Sequence, residues 1–101
     1  MTVAVVHEFD VEPGDRSAIN YDAPSGRLDF DADPPAGLIL HTAGFDDDVF
    51  RTFDVWETEE HVRRFDEERM QPLLEEGPRD PTRAGPADRR YRYELHRFAR
   101  P

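Results

Sequence analysis

The sequence predicts a single α+β domain, residues 1–101, in which four strands form one antiparallel sheet with helices on one face. Three observations predict this class. Four short segments rich in β-branched and aromatic residues are separated by turn residues or by stretches long enough for a helix. The strongest helical pattern begins with a capping signal two residues after the only tryptophan. A chain of 101 residues also has the length of one domain with a modest core.

The N-terminal half predicts a strand, a helix and a second strand. The first strand is a run of β-branched residues at 3–9, followed by turn residues. A helix is expected at 16–28, because a crossover between strands usually needs one. Pro24 and Gly26 are poor residues for a helix interior, so this helix should be short or broken. The apolar run at 37–43 predicts the second strand.

The C-terminal half predicts a strand, a long helix and a final strand. A hairpin loop at 44–48 contains a glycine and three aspartates, and the third strand follows it at 49–57. Apolar residues at helical spacing predict a helix at 59–76. A proline- and glycine-rich loop at 77–88 then leads to an alternating strand at 90–99.

The resulting order, β-α-β-β-α-β, is the split βαβ arrangement of ferredoxin-like domains. Its helices cover one face of the sheet, yet both faces of these strands carry apolar residues. The uncovered face must therefore be buried against something else. A second copy of the same sheet is the simplest partner, so we expect a two-fold homodimer.

The composition excludes several classes of partner. The net charge is −10, with 23 acidic residues against 13 basic ones, which argues against nucleic acid and against anionic membranes. The absence of cysteine excludes a disulfide framework, a thiolate metal site and a cysteine nucleophile. No apolar run reaches the length of a membrane span, and residues 1–10 lack the features of a signal peptide. We therefore expect a cytoplasmic protein.

The junction between the third strand and its helix carries a family resemblance. Asp54-Val55-Trp56-Glu57 ends the strand, and Thr58 is the expected N-cap of the helix that begins with Glu59-Glu60. Together with the helix residues up to 74 and the strand around 38–41, this stretch resembles the antibiotic-biosynthesis-monooxygenase-like proteins of the dimeric α+β barrel superfamily.

The resemblance implies a ferredoxin-like protomer that pairs into a dimeric α+β barrel. As activities it implies a cofactor-independent monooxygenase acting on polycyclic phenols, or a related polyketide cyclase. It also implies that Trp56 lines a pocket between the sheet and its helices. The haem-degrading branch matches poorly, because Asp66 and Glu67 stand where that branch needs a histidine.

Three histidines, His7, His41 and His96, fall on predicted strands. Imidazole titrates near pH 6.5, so it can remove a phenolic or enolic proton at neutral pH. We predict His41 or His96 as the general base and Asp54 as an orienting carboxylate. A structural role for each histidine, and a salt bridge from Asp54 to an arginine, are the alternatives. A slip of one residue in the hairpin at 37–57 would move His41 to the other face of the sheet, and the sequence leaves that register open.

Four further residues are predicted to contact a substrate: Trp56, His7, Phe65 and Tyr93. Core or edge-strand packing is the alternative for the aromatic ones. The histidine spacing supports no metal site, and the aspartates of the hairpin lack the ligand spacing of a calcium loop. No nucleotide-binding motif is present, so no cofactor is expected.

The alternative function is a non-catalytic dimeric module of the same fold that binds a small ligand or serves as a scaffold. Two histidines and Trp56 around one cavity would favour the enzyme. A cavity filled by phenylalanine and leucine side chains would favour the module.

Overall fold

The computed structural model describes residues 1–16, 30, 32–71 and 87–99. Most of the expected first helix, the greater part of the loop at 77–88 and the end of the second helix lie outside the described residues. The described secondary structure comprises β1 (Val3–Asp10), β2 (Leu38–Asp46), β3 (Val49–Trp56), α1 (Glu59–Phe65), a π-helical segment (Asp66–Met70) that continues α1, and β4 (Arg89–Glu94).

The four strands form one sheet in the order β2-β3-β1-β4, and every pair of neighbours is antiparallel. β1 is one of the two inner strands and pairs with β3 on one side and with β4 on the other. The strands that are adjacent in space are therefore mostly not adjacent in sequence, as the split βαβ arrangement requires. The α+β class with a four-stranded antiparallel sheet is confirmed. Within the described residues, no helix is both long and apolar enough to cross a membrane.

Thr58 starts α1 as the sequence predicts. Its backbone is extended (φ −149°, ψ 163°) and its hydroxyl accepts a hydrogen bond from the backbone N–H of His61 at 3.2 Å. One of the unpaired N–H groups at the helix start is satisfied in this way. Glu59 and Glu60 follow in the first turn, where negative charge stabilises the helix dipole.

Two expected boundaries are wrong. β4 ends at Glu94 instead of 99, because Glu94 pairs with Val3, the first residue of β1, and the ladder ends there. His96 therefore lies beyond the strand. The hairpin loop is also shorter than expected, since β2 continues to Asp46 and pairs it with Val49. Only two residues form the turn, and the first of them, Asp47, has φ 52°, a conformation that aspartate tolerates better than most residues.

The hydrophobic core lies between the sheet and α1. Val3 and Val5 of β1 point to the same face as Trp56 of β3, and this face packs on Val62 of α1. The side chains of Leu38 and Phe65 extend the cluster at its margin. Trp56 is only 2% exposed, so the strand end predicted to border a pocket is part of the core.

The other face of the sheet, which we call the opposite face, carries an apolar centre and an aromatic margin. Ala4 pairs with Val55 on one side and with Tyr93 on the other, and both Ala4 and Val55 are buried. Leu40, Tyr91 and Tyr93 remain 40%, 47% and 49% exposed. One end of the opposite face is charged: there Glu8 accepts hydrogen bonds from Arg51 and Arg89 at 2.8 and 2.7 Å.

Candidate functional site

The candidate site begins with the register of β2 against β3. Leu38 pairs with Trp56, but Leu40 pairs with Val55, so β2 contains one residue more than β3 at this point. This β-bulge reverses the alternation of the residues that follow it. His41 consequently lies directly opposite Asp54, on the face of the sheet that α1 covers.

His41 and Asp54 are in direct contact. The distance from His41 Nδ1 to Asp54 Oδ1 is 2.6 Å, and the two side chains are 16% and 14% exposed. With Asp54 as a carboxylate, Nδ1–H is the donor, and this contact assigns the proton-accepting position to Nε2. The carboxylate also stabilises the imidazolium that forms when Nε2 takes up a proton. The pair therefore has the composition and orientation of a histidine general base with a carboxylate that orients it.

Aromatic rings lie against this pair. The Phe30 ring stacks on the His41 imidazole, with centroids 4.2 Å apart and an angle of 23° between the planes. Phe65 lies 6.1 Å from Phe30, and Trp56 lies 5.2 Å from Phe65, between ring centroids. A row of rings thus connects the imidazole with the core, and the surroundings of the histidine are flat and apolar.

His7 lies on the same face, opposite Thr52, which is buried. Burial lowers the pKa of His7 from its ordinary value of 6.5, and the positive charges of Arg90 and Arg92 act in the same direction. The carboxylates of Asp54 and Asp66 oppose this effect without cancelling it. His7 is therefore an uncharged imidazole at neutral pH, on the same face of the sheet as His41 and Asp54.

Asp66, the first residue of the π-helical segment, lies near Arg92 of β4 on the helix-covered face of the sheet. Burial raises its pKa, while Arg92, with Nη2 at 3.9 Å from Oδ2, opposes the rise. At 3.9 Å this is a weak ion pair.

The predicted site residues divide into two groups. His41, Asp54 and His7 share one face of the sheet with Trp56, and Phe65 of α1 packs on the indole. The structure does not bring the other two predicted residues to this face: His96 is exposed beyond β4, and Tyr93 lies on the opposite face. Asp54 pairs with His41, and among the described residues it has no ion pair with an arginine, the alternative that the sequence suggested.

Sequence reasoning missed one contributor to the site. Phe30 stacks on His41, and no motif marks it in the sequence. The His41–Asp54 pairing did have a signal: a two-residue turn at Asp47 and Asp48 fixes the register of the hairpin. In the part of the chain that the structure describes, no group of three or more histidine or carboxylate side chains could hold a metal ion.

No family model and no curated protein matches this chain. Solved structures do match it across nearly its whole length. A Chloroflexus aurantiacus protein, assigned provisionally as an antibiotic biosynthesis monooxygenase, superposes with a TM-score of 0.63 at 16% identity and covers 98% of this chain and 97% of its own. The chain shares its fold with this protein. The resemblance to monooxygenase-like proteins is thereby confirmed at the level of the fold.

Two further structures give the same result. A Nitrosomonas europaea protein of unknown function has a TM-score of 0.64 at 18% identity and covers 99% of this chain and 94% of its own. A Pseudomonas aeruginosa protein has a TM-score of 0.59 at 14% identity and covers 97% of this chain and 95% of its own. At such identities the likeness shows the ferredoxin-like fold alone, because one fold hosts many activities.

Proposed function

We propose that this protein is a cofactor-independent monooxygenase, or a related cyclase, acting on an aromatic or polyketide-like small molecule. His41 is the general base and Asp54 holds its imidazole in the required tautomer. The observation that carries the proposal is the 2.6 Å contact between the two side chains on a half-buried face of the sheet. Such a pair is suited to removing a proton near neutral pH.

The monooxygenase and the cyclase share their first step. Nε2 of His41 takes the proton of a phenol, or of a carbon next to a carbonyl group, and leaves an electron-rich anion. In the monooxygenase, this anion reduces molecular oxygen directly: one oxygen atom enters the ring, the other leaves as water, and the phenol becomes a quinone. In the cyclase, the same anion attacks a carbonyl carbon of its own chain. The imidazolium returns its proton to the oxygen that leaves as water in the monooxygenase, and to the alkoxide that forms from the attacked carbonyl in the cyclase.

The surroundings of the pair support a flat substrate. The Phe30 ring stacks on the imidazole and Phe65 lies beside Phe30, and apolar walls with a few polar groups are typical of small-molecule sites. His7 is uncharged at neutral pH and offers a hydrogen-bonding nitrogen on the same face. A planar phenol or polyketide ring fits these neighbours better than a sugar or a phosphate does.

Oxygen uptake tests the proposal. A panel of phenols and hydroxyquinones is screened with an oxygen electrode, and the best substrate is then used with His41→Ala and Asp54→Asn. Loss of a general base lowers turnover by roughly 10²–10⁴-fold. The matched control is His96→Ala, because His96 is exposed and lies away from the pair. The turnover of this variant should equal that of the wild type. Equal turnover in His41→Ala and wild type would remove the assignment.

A second candidate function has one observation in its favour. Trp56 is packed between Val62, Leu38 and Phe65, so phenylalanine and leucine fill the space next to it. This arrangement favours a module that binds a small apolar ligand without turnover. Incubation with the phenol distinguishes the two candidates. The module would bind the phenol, consume no oxygen and leave the phenol chemically unchanged.

We also propose that the protein forms a two-fold homodimer through the opposite face. The exposed rings of Tyr91 and Tyr93 and the side chain of Leu40 would be covered by the same residues of a second copy. Tyr93→Glu should shift the sedimentation coefficient to that of a monomer, whereas Gln71→Glu, on the helix side, should not. A wild-type protein that sediments as a monomer at micromolar concentration would contradict this. The cytoplasmic location stays a prediction.

A further inference from the structure

Two polar side chains beside the His41–Asp54 pair have no hydrogen-bond partner in the part of the chain that the structure describes. Thr52 of β3 is 7% exposed, and no described group donates a hydrogen bond to its hydroxyl or accepts one from it. His7 of β1 lies directly opposite Thr52, and neither nitrogen of its half-buried imidazole has a hydrogen-bond partner there either. Buried polar groups are nearly always paired, so an unpaired one indicates a water molecule or a ligand as its partner.

Two other threonines of the structure show the usual pattern. The Thr42 hydroxyl donates to the backbone carbonyl of Phe53 at 3.0 Å, although Thr42 is exposed. The Thr58 hydroxyl accepts a hydrogen bond from the backbone N–H of His61. Thr52 is more buried than both, yet among the described residues it lacks such a bond.

The strand register places Thr52 and His7 close to the proposed base. Thr52 and Asp54 are two residues apart on β3, so their side chains point to the same face, about 7 Å apart along the strand. Thr52 is diagonal to His41 across the β2–β3 ladder, a position at about 7–8 Å between Cα atoms. The Cβ atoms of His7 and Thr52, which are directly opposite, are about 5 Å apart. His41, Thr52 and His7 thus form a diagonal line across three strands.

The neighbour of Thr52 on the other side is small. Ala43 of β2 lies opposite Thr52, is exposed, and has a single methyl group as its side chain. A molecule whose hydroxyl reaches Nε2 of His41 can therefore extend over Ala43 to the Thr52 hydroxyl.

We propose that Thr52 and His7 form a second oxygen-binding position of the candidate site. Its ligand is a flat aromatic molecule with two oxygen substituents, one at Nε2 of His41 and the other between the Thr52 hydroxyl and the His7 imidazole. The inference deepens the proposed function and rests on it for the aromatic character of the ligand. Thr52 and His7 select the ligand and take no part in the proton transfer to His41.

The chemistry of the two groups suits an uncharged hydroxyl or carbonyl oxygen. A threonine hydroxyl both donates and accepts, and a neutral imidazole has one donor and one acceptor nitrogen. Burial lowers the pKa of His7, so its imidazole is uncharged at neutral pH, and among the neighbouring charges the negative one of Asp54 acts on it most strongly. A carboxylate or a phosphate at this position would be repelled by Asp54, whereas a hydroxyl or a carbonyl would not.

Ligand binding in the absence of oxygen tests the proposal. Isothermal titration calorimetry gives the Kd of 1-naphthol, which has one oxygen, and of 1,3-, 1,5- and 1,6-dihydroxynaphthalene, which have two. One additional hydrogen-bonded oxygen raises affinity about two- to tenfold, so at least one of the diols should bind the wild type more tightly than 1-naphthol by this factor. Valine has the shape of threonine without the hydroxyl. In Thr52→Val the advantage of the diol should disappear, while the Kd of 1-naphthol stays unchanged.

Two matched variants separate the loss of the hydroxyl from damage to the fold. Thr52→Ser keeps the hydroxyl and should keep the advantage of the diol. Thr42→Val makes the same chemical change on the opposite face of the sheet and should keep it too. Thr52→Val removes a buried hydroxyl that has no partner among the described residues, so its free energy of unfolding in urea should not fall below that of the wild type.

Three results would overturn the proposal. They are an absence of binding by all four compounds, equal affinity of the diols and 1-naphthol for the wild type, and a diol advantage that persists in Thr52→Val. In the last case water alone is the partner of the hydroxyl. None of these measurements depends on oxygen uptake. A protein without turnover can still show the preference that depends on Thr52, and a protein with turnover can lack it, so the two proposals fail separately.

Discussion

Replacement of Gly37 by alanine is the substitution for which the structure gives the most specific expectation. Gly37 has φ +85°, a backbone conformation that side chains with a Cβ rarely adopt. A Cβ placed there would be 2.2 Å from Cγ, 2.5 Å from Cδ2 and 2.6 Å from Cβ of His61. A change of rotamer moves the ring but not Cβ of His61, so the backbone around Gly37 or α1 itself must shift.

The magnitude follows from two separate contributions. The left-handed conformation costs a residue other than glycine about 1–2 kcal/mol. Forcing an extra carbon into a filled space costs about 1–3 kcal/mol, since the backbone must move. A displaced His61 also loses the contact of its Nδ1 with Thr58 Oγ1, which is 2.7 Å long. We expect Gly37→Ala to lower the free energy of unfolding by about 2–5 kcal/mol.

The chain offers two matched controls for this substitution. Gly14 has φ +80° with nothing within 4 Å of an added Cβ, so Gly14→Ala measures the backbone contribution alone, about 1–2 kcal/mol. Gly44 lies in β2 with open space around it and without a positive φ, so Gly44→Ala should be neutral or slightly stabilising. Urea unfolding, followed by tryptophan fluorescence at one protein concentration, gives all three values. Equal losses in Gly37→Ala and Gly14→Ala would refute the contact with His61.

Three further predictions concern stability. Thr58→Ala removes the N-cap and should lower the free energy of unfolding in urea by about 1 kcal/mol, whereas Thr58→Ser keeps the hydroxyl acceptor and should lower it far less. Equal losses of unfolding free energy in the two variants would contradict the role of the cap. Because the pKa of His7 is lowered in the folded protein, the unfolded chain takes up its proton first as the pH falls; stability is complete above pH 6.5 and decreases below it. The same unfolding series at pH 5 to 7.5 should give a flatter curve for His7→Gln, and an identical curve would refute the burial of this imidazole. Hydrogen bonds from Arg89 and Arg51 lower the pKa of Glu8 below 4.5, so its contribution to folding stability is present above pH 4.5 and is lost as the pH falls through the pKa of the folded protein. Glu8→Gln should remove this acid-sensitive loss of stability in thermal unfolding at pH 3 to 5. If the loss persists in the variant, it belongs to other carboxylates.

Local sequence signals predicted the elements whose boundaries depend on neighbouring residues. The run of β-branched residues defined β1, and the change from strand alternation to Thr58-Glu59-Glu60 placed the end of β3 and the start of α1 within a residue or two. The end of β4 could not be found in this way. It is set by a partner strand, since Glu94 pairs with the first residue of β1, and no residue near 94 signals a stop.

The role of Trp56 shows a second limit of sequence reasoning. A lone tryptophan at a strand end is consistent both with a pocket wall and with a core position. The side chains that come from other elements decide between them, and here Val62 and Phe65 of the helical stretch close over the indole. The contact of Trp56 with a substrate therefore stays a prediction, while its contribution to the core is plain from its 2% exposure.

The chemistry of the candidate site depends on one extra residue in β2. Had the pairing of Leu38 with Trp56 continued without a bulge, Leu40 would lie opposite Asp54 and His41 would lie opposite Phe53, on the opposite face of the sheet. The structure instead pairs Leu40 with Val55 and His41 with Asp54. The two-residue turn fixes the register of the hairpin from one end, and the packing of Leu38 on the core fixes it from the other. These two constraints require strand registers that differ by one residue, and the bulge allows both pairings in the same strand. The same irregularity that keeps Leu38 in the core thus turns the imidazole of His41 towards its carboxylate.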